Sequence, residues 1–195
     1  MMFAKNAALG LAALVVAALA APAAWSEDRV LGDPDAPVTI IEFASLSCPH
    51  CAAFHRERLP WIKENYIDTG KVRFVFRDFP LNRAALIGAM VAHCAKPDQY
   101  FAYLDLLFSK QKTWAFHEEP ATELAKLARL GGMSRRAFED CLTNESLADR
   151  IIQSRLDAQK EYDISSTPSL VVEGKLLAGI PSEEELATLI AEAGS

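Results

Sequence analysis

The chain has 195 residues, 51% of them hydrophobic and 24% charged, with a formal net charge of −6 at pH 7. This is the composition of a globular protein and excludes both a disordered polymer and a collagen-like fibre. An acidic chain without basic runs also lacks the electrostatic footprint of a nucleic-acid binder.

The first element is a leader. Met1 to Asn6 carries one positive charge, Lys5; an Ala/Leu/Val run follows from Ala7 to Ala20, and Ala21-Pro22-Ala23 offers small residues for a cut. These are the parts of a secretory signal peptide, so residues 1–23 are expected to be removed. Asn6 to Ser26 is uncharged and close to bilayer-spanning length, which makes an uncleaved anchor the alternative. No later stretch could span, so no stable membrane insertion is expected after cleavage. Export also governs the four cysteines, because thiols outside the cytosol are not held reduced.

After a Gly/Pro/Asp turn cluster, Val38–Phe43 is β-branched and aromatic and reads as a buried strand. From Cys48 the pattern turns helical, with Phe54, Leu59, Ile62 and Tyr66 recurring as far as Asp68-Thr69-Gly70. Pro60 inside that helix lacks an N–H and crowds the preceding turn, which predicts a kink rather than an end. Val72, Phe74 and Phe76 then alternate along a second strand that Pro80 closes. Strand, helix, strand in so short a span is a βαβ unit, with parallel strands and a right-handed crossover.

From Asn82 to about Tyr162 only helical periodicity appears. Breaks at Lys96-Pro97-Asp98, Thr113 to Pro120, Gly131-Gly132 and Thr143-Asn144 predict four or five helices. Ser169–Val172 and Lys175–Ala178 flank Glu173-Gly174 as a hairpin. Ser182 with Glu185 makes a capping box for a last helix to about Ala193. The expected division is an α/β core of residues 28–81 and 163–195, with 82–162 inserted as a helical block.

The chemistry centres on Cys48 and Cys51. Haem attachment is excluded because Ala52, not His, follows Cys51. Zinc would need two further ligands; His55 on the next helical turn offers one, but no second CxxC or His pair accompanies it. A purely structural disulfide would close too small a loop to stabilise much. A redox pair explains more residues at once. Cys48 falls where the strand's loop meets the helix, and Pro49 follows at a first-turn position where its missing N–H costs nothing. The Cys48 sulfur therefore lies over unpaired N–H groups and the positive end of the helix dipole, which stabilise a thiolate. His50 adds positive charge or a hydrogen bond, and the shielded Cys51 acts as resolving partner.

Cys48-Pro49-His50-Cys51 after Ile40-Ile41-Glu42-Phe43, Ser166-Thr167-Pro168 before two late strands, and the helices between them resemble the periplasmic thiol:disulfide oxidoreductases of the DsbA family. The likeness covers nearly all of residues 28–193. It implies an α/β, thioredoxin-like fold with an inserted α-helical domain and no cofactor. It further implies a monomeric dithiol oxidase that introduces disulfide bonds into exported polypeptides in the periplasm. Reoxidation would come from a membrane quinone-linked partner of the DsbB kind. The resemblance also implies a cis Thr167-Pro168 bond facing the CxxC, with the preceding backbone pairing with extended substrate.

Glu42 interrupts an apolar strand, where a buried charge is costly without a partner. Either that face meets solvent, or Glu42 is a buried acid exchanging a proton with Cys51, the place where the family pattern has an acid. Thr167 departs from the Val of the best-known DsbA oxidases and matches many isomerases. A disulfide isomerase or reductase of the same fold is thus the first alternative, and a non-catalytic peptide- or metal-binding module the second. Cys94 and Cys141, left over, most simply form a structural disulfide, worth about 4 kcal/mol by loop-closure entropy; two buried free thiols are the alternative. His93 and His117 show no partner pattern and are expected to be structural or on the surface. Trp61, Trp114 and the aromatics from Tyr100 to Phe108 read as core.

Overall fold

The computed structural model describes residues 28–194, so the leader expected over residues 1–23 lies outside it. Its strands are β1 (Arg29–Leu31), β2 (Val38–Ala44), β3 (Val72–Asp78), β4 (Ser169–Val172) and β5 (Lys175–Ala178), in one sheet of order β1-β3-β2-β4-β5. β2 and β3 are parallel, as the βαβ reading requires, and the other neighbours are antiparallel. Strand β1 was not anticipated. Its three residues are too few to show alternation, and only pairing with β3, Arg29 opposite Phe76, makes them a strand.

β2 is paired on both edges, with Glu42 opposite Phe76 on one side and Leu170 on the other. Alternation places Val38, Ile40, Glu42 and Ala44 on one face and Ile41 and Phe43 on the other. The first face meets the main core, which takes in residues from the helices described below. The second packs a smaller cluster of Phe43, Phe79, Ala158, Ile164 and Val171.

The crossover is α1 (Pro49–Glu57), α2 (Leu59–Ile62) and a π-helical turn, Lys63–Ile67. The kink expected near Pro60 is a break at Arg58, φ −107°, upstream of the ring that cannot donate a backbone hydrogen bond. The π turn follows from the bond of Asp68 N–H to Lys63 O, 2.8 Å.

Between β3 and β4 run α3 (Arg83–Cys94), a 3-10 turn (Pro97–Gln99), α4 (Tyr100–Ser109), α5 (Gln111–Trp114), α6 (Pro120–Leu130), α7 (Arg135–Leu142) and α8 (Glu145–Tyr162). Six α-helices replace the expected four or five because the chain turns at Lys110, φ −104° and ψ 12°, and adds the single turn α5. Asn82, Ser134 and Asn144 cap α3, α7 and α8 by accepting from backbone N–H groups. Gly88 of α3 lets α5 approach: a Cβ there would stand 2.8 Å from the Trp114 ring. A disulfide joins Cys94 at the end of α3 to Cys141 of α7.

The β4–β5 turn has positive φ at both Glu173 and Gly174, the hairpin geometry that the sequence signalled. The last helix, α9 (Glu183–Ala193), is capped by Ser182 Oγ accepting from Glu185 N–H at 3.1 Å. Trp114, Tyr100 and Phe108 are buried as expected, whereas Trp61 is only half-buried and packs edge-on to Tyr66. Among the described residues no helix is long and apolar enough to cross a membrane.

Candidate redox site

Cys48 is the N-cap of α1, with extended backbone and Pro49 at the first position of the helix. Cys48 is 7% exposed and Cys51, one turn on, is 0% exposed; both are free thiols. The Cys48 thiol donates to Thr167 O at 3.3 Å, so the segment that leads into β4 and the start of α1 meet at this sulfur. The Thr167-Pro168 peptide bond is cis.

The Cys48 thiol is lowered to about 5, chiefly by the hydrogen bond from the Cys51 thiol. Burial opposes this, and the Thr167 side chain and the backbone N–H groups of Cys51 and His50 assist it. The buried Thr167 hydroxyl has no partner at hydrogen-bond distance among the described residues, so it acts on the anion from slightly farther off. Burial, the proton shared with Cys48, and the charge of Glu42 push Cys51 far up. The two sulfurs, three residues apart, thus differ widely in acidity because one caps a helix at the rim and the other is sealed beneath it. The His50 side chain is exposed, and its backbone N–H is what bears on Cys48.

Glu42 is 0% exposed, which removes the reading that its strand face meets solvent. Its partner is His55: Nε2 lies 2.8 Å from Glu42 Oε2, while Oε1 has no partner among the described residues. Burial disfavours a charged His55, but the Glu42 carboxylate with Asp105 outweighs it and raises the imidazole to about 9. The ring stacks on Phe108 at 4.1 Å and meets Phe76 edge-on. Weighed from sequence only as a metal ligand, His55 is in fact the partner of the buried acid. The available signal was its spacing of four from Cys51, which puts both on the helix face turned to Glu42.

Gln111 was also missed. Its buried Nε2 donates to Leu46 O at 2.8 Å and Cys48 O at 2.9 Å, tying α5 to the loop that carries the first cysteine. Nothing local distinguishes it from a solvent-facing helical glutamine. His93, for which the sequence showed no partner pattern, pairs with Asp78 at 2.7 Å, because β3 ends beside α3. His117 is exposed, with Nδ1 accepting from Glu119 N–H.

The comparisons agree with this arrangement. The thioredoxin family profile matches residues 25–192. A Rickettsia conorii protein assigned to the protein-disulfide oxidoreductases is 32% identical over 148 residues, 75% of this chain and 53% of that protein. The chain thus spans about half the length of that relative. Disulfide bond formation protein D of Bacillus subtilis is 26% identical over 80% of this chain and 72% of its own. The crystal structure of Wolbachia pipientis alpha-DsbA1 superimposes with a TM-score of 0.79 at 32% identity, covering 86% of this chain and 90% of that one. A protein-disulfide isomerase from Novosphingobium aromaticivorans does so with a TM-score of 0.73 at 26% identity, covering 86% and 97%. The chain therefore belongs to the thioredoxin family, within its DsbA-like group.

Proposed function

We propose that the protein is a dithiol oxidase that transfers the Cys48–Cys51 disulfide to pairs of thiols in exported polypeptides. The observation that carries this is the depressed Cys48 thiol, about 5, at a helix N-cap beside Thr167 O. A stabilised thiolate favours the reduced protein over its disulfide, which makes the disulfide an electron acceptor. A substrate thiolate attacks Cys48 Sγ, the bond to Cys51 breaks, and Cys51 leaves with the electron pair and is protonated. A second substrate thiolate then attacks the substrate sulfur of the mixed disulfide. Cys48 departs as a thiolate, a good leaving group because its pKa is low. The substrate is oxidised by two electrons and the protein is left as a dithiol.

In this reading Cys48 is the exchanging sulfur and Cys51 the resolving one. Pro49 starts the helix, His50 lends its N–H and an exposed imidazole, and Glu42 exchanges a proton with Cys51. Thr167 and Pro168 present backbone to extended substrate, and Cys94 with Cys141 staples the helical block 82–162, an insertion in the thioredoxin-like unit. The protein works as a monomer in the periplasm after loss of its leader, and a membrane quinone-linked partner of the DsbB kind reoxidises it. Thr167, together with the isomerase among the structural relatives, supports isomerase activity as the second reading.

Equilibration in glutathione buffers, with the Cys48–Cys51 state read by alkylation and mass, tests the proposal. An oxidising midpoint with net oxidation of a reduced, unfolded substrate is expected. No transition would refute the redox reading, and repair of scrambled substrate without net oxidation would favour the isomerase. The Cys51→Ser variant should accumulate mixed disulfides with substrate through Cys48.

A further inference from the structure

The thiol chemistry above has Glu42 exchange a proton with Cys51, and Glu42 must in turn exchange that proton with solvent. When the bond between Cys48 and Cys51 breaks, the electron pair goes to a sulfur that is 0% exposed and strongly disfavours the anion, so a proton must reach it inside the protein. Three groups stand in sequence from that sulfur to the surface. Glu42 is fully buried on the central strand, one oxygen held by His55 Nε2 at 2.8 Å and the other without a partner among the described residues. Cys51 and His55 lie four residues apart on α1 and so share one helix face. The opposite ring edge of His55, Nδ1, has no hydrogen-bond partner among the described residues and lies 3.8 Å from the Asp105 carboxylate of α4, which is 70% exposed.

His55 and Asp105 line a groove of about 420 Å³ between α1 and α4, with Ala52, Leu59, Phe101 and Phe108 among its walls. Neither Cys48 nor Thr167 nor Pro168 borders it. The groups around the imidazole include the Glu42 carboxylate from β2, the Phe76 ring from β3, the Phe54 ring of α1, and Phe108 and Asp105 from α4. Arg56 and Lys63 also border the groove.

We infer that His55 is a proton relay, carrying protons between the buried Glu42–Cys51 pair and solvent through the Asp105-lined groove, apart from the Cys48–Thr167 face where substrate exchanges. The inference rests on the thiol-exchange reading above. In the reductive step His55 Nε2 gives its proton to the Glu42 carboxylate, and the carboxyl so formed passes one proton to the Cys51 sulfur as that sulfur leaves with the electron pair. Glu42 is left again as the carboxylate, and the imidazole recharges with one proton from solvent in the groove. In the oxidative step the same path runs outward and one proton is released. His55 touches neither substrate nor the reacting sulfurs in this scheme; it acts through Glu42.

The test is chemical rescue. Reduction of the Cys48–Cys51 disulfide by dithiothreitol is followed in wild type and His55→Ala, with and without added imidazole, at equal dithiothreitol thiolate concentration. His55→Ala should lose about a hundredfold in rate, the low end of what a positioned proton donor contributes. Imidazole, small enough for the groove and the vacated space, should restore much of the loss with saturation; a bulkier amine buffer of similar pKa should not. The relay is refuted by a His55→Ala rate within about twofold of wild type, far below that contribution, or by a loss that imidazole leaves untouched. Should His55→Ala fail to fold, His55→Gln keeps a hydrogen bond to Glu42 without a titrating proton. A rate and solvent isotope effect equal to wild type in that variant would likewise refute the relay. A wild-type disulfide that dithiothreitol does not reduce would instead overturn the thiol-exchange reading itself.

Discussion

Replacing Cys51 with alanine removes the largest single contribution to the low titration of Cys48, the hydrogen bond from the Cys51 thiol. A hydrogen bond to an ionised group is worth about 1.5–3 kcal/mol, and 1.36 kcal/mol moves a pKa by one unit, so its loss corresponds to about one to two units. The Cys48 thiol should therefore rise from about 5 in the wild type to between about 6 and 7 in Cys51→Ala. It should stop short of a free cysteine, because the N–H groups of residues 50 and 51 and the Thr167 side chain still face the sulfur.

For the wild type at neutral pH, an unscreened shift of this kind would favour the reduced protein by about 2.7 kcal/mol; discounted by about half for the partly open site, it contributes about 20–40 mV to the potential. Ultraviolet absorbance of the thiolate during an acid-to-alkaline titration, with the rate of iodoacetamide alkylation as a second probe, measures the change. A variant that still titrates near 5 would show that the helix terminus, not the second cysteine, sets the acidity. A wild type that titrates like a free cysteine would remove the physical basis of the oxidase reading.

The His55 imidazole is raised from 6.5 to about 9 in the folded protein, so its ion pair stabilises fully below pH 6.5 and the stability is lost as pH rises through 9. Urea unfolding should register a loss on the order of 3 kcal/mol across that window, absent in His55→Gln. The Cys94→Ala/Cys141→Ala double variant opens a loop of sequence separation 47 and should lose about 2–4 kcal/mol in chemical denaturation, with the Cys48 titration unmoved. Gln111→Leu leaves the Leu46 carbonyl without this donor and takes from Cys48 O the tie to α5. It should cost about 1–3 kcal/mol in thermal unfolding and broaden the Cys48 titration or shift it upward. Gly88→Ala drives a methyl into the Trp114 ring and should cost about 1–3 kcal/mol, read as a lower Tm.

Much of this protein is written in patterns a few residues long. Apolar alternation placed β2 and β3, the Glu173-Gly174 turn placed the hairpin to the residue, and a proline at the first helical position marked Cys48 as a cap. Four punctuation points separated the helices correctly because Gly, Pro and Asn act on their own backbone. Strand β1 escaped because three residues carry no period, and α5 because one turn carries none either.

What local pattern could not supply is partnership across the fold. The sequence by itself determined that a thiol pair caps a helix after a central strand, since strand, cap and helix are neighbours along the chain. Only the tertiary structure decided that Glu42 is sealed against His55, that Gln111 reaches 63 residues back to Cys48, and that Thr167 closes over the same sulfur from 119 residues away. Each of those contacts joins elements brought together by burying the apolar faces of the sheet and helices. Hydrophobic burial is non-directional and leaves no mark of which polar side chains it will trap together.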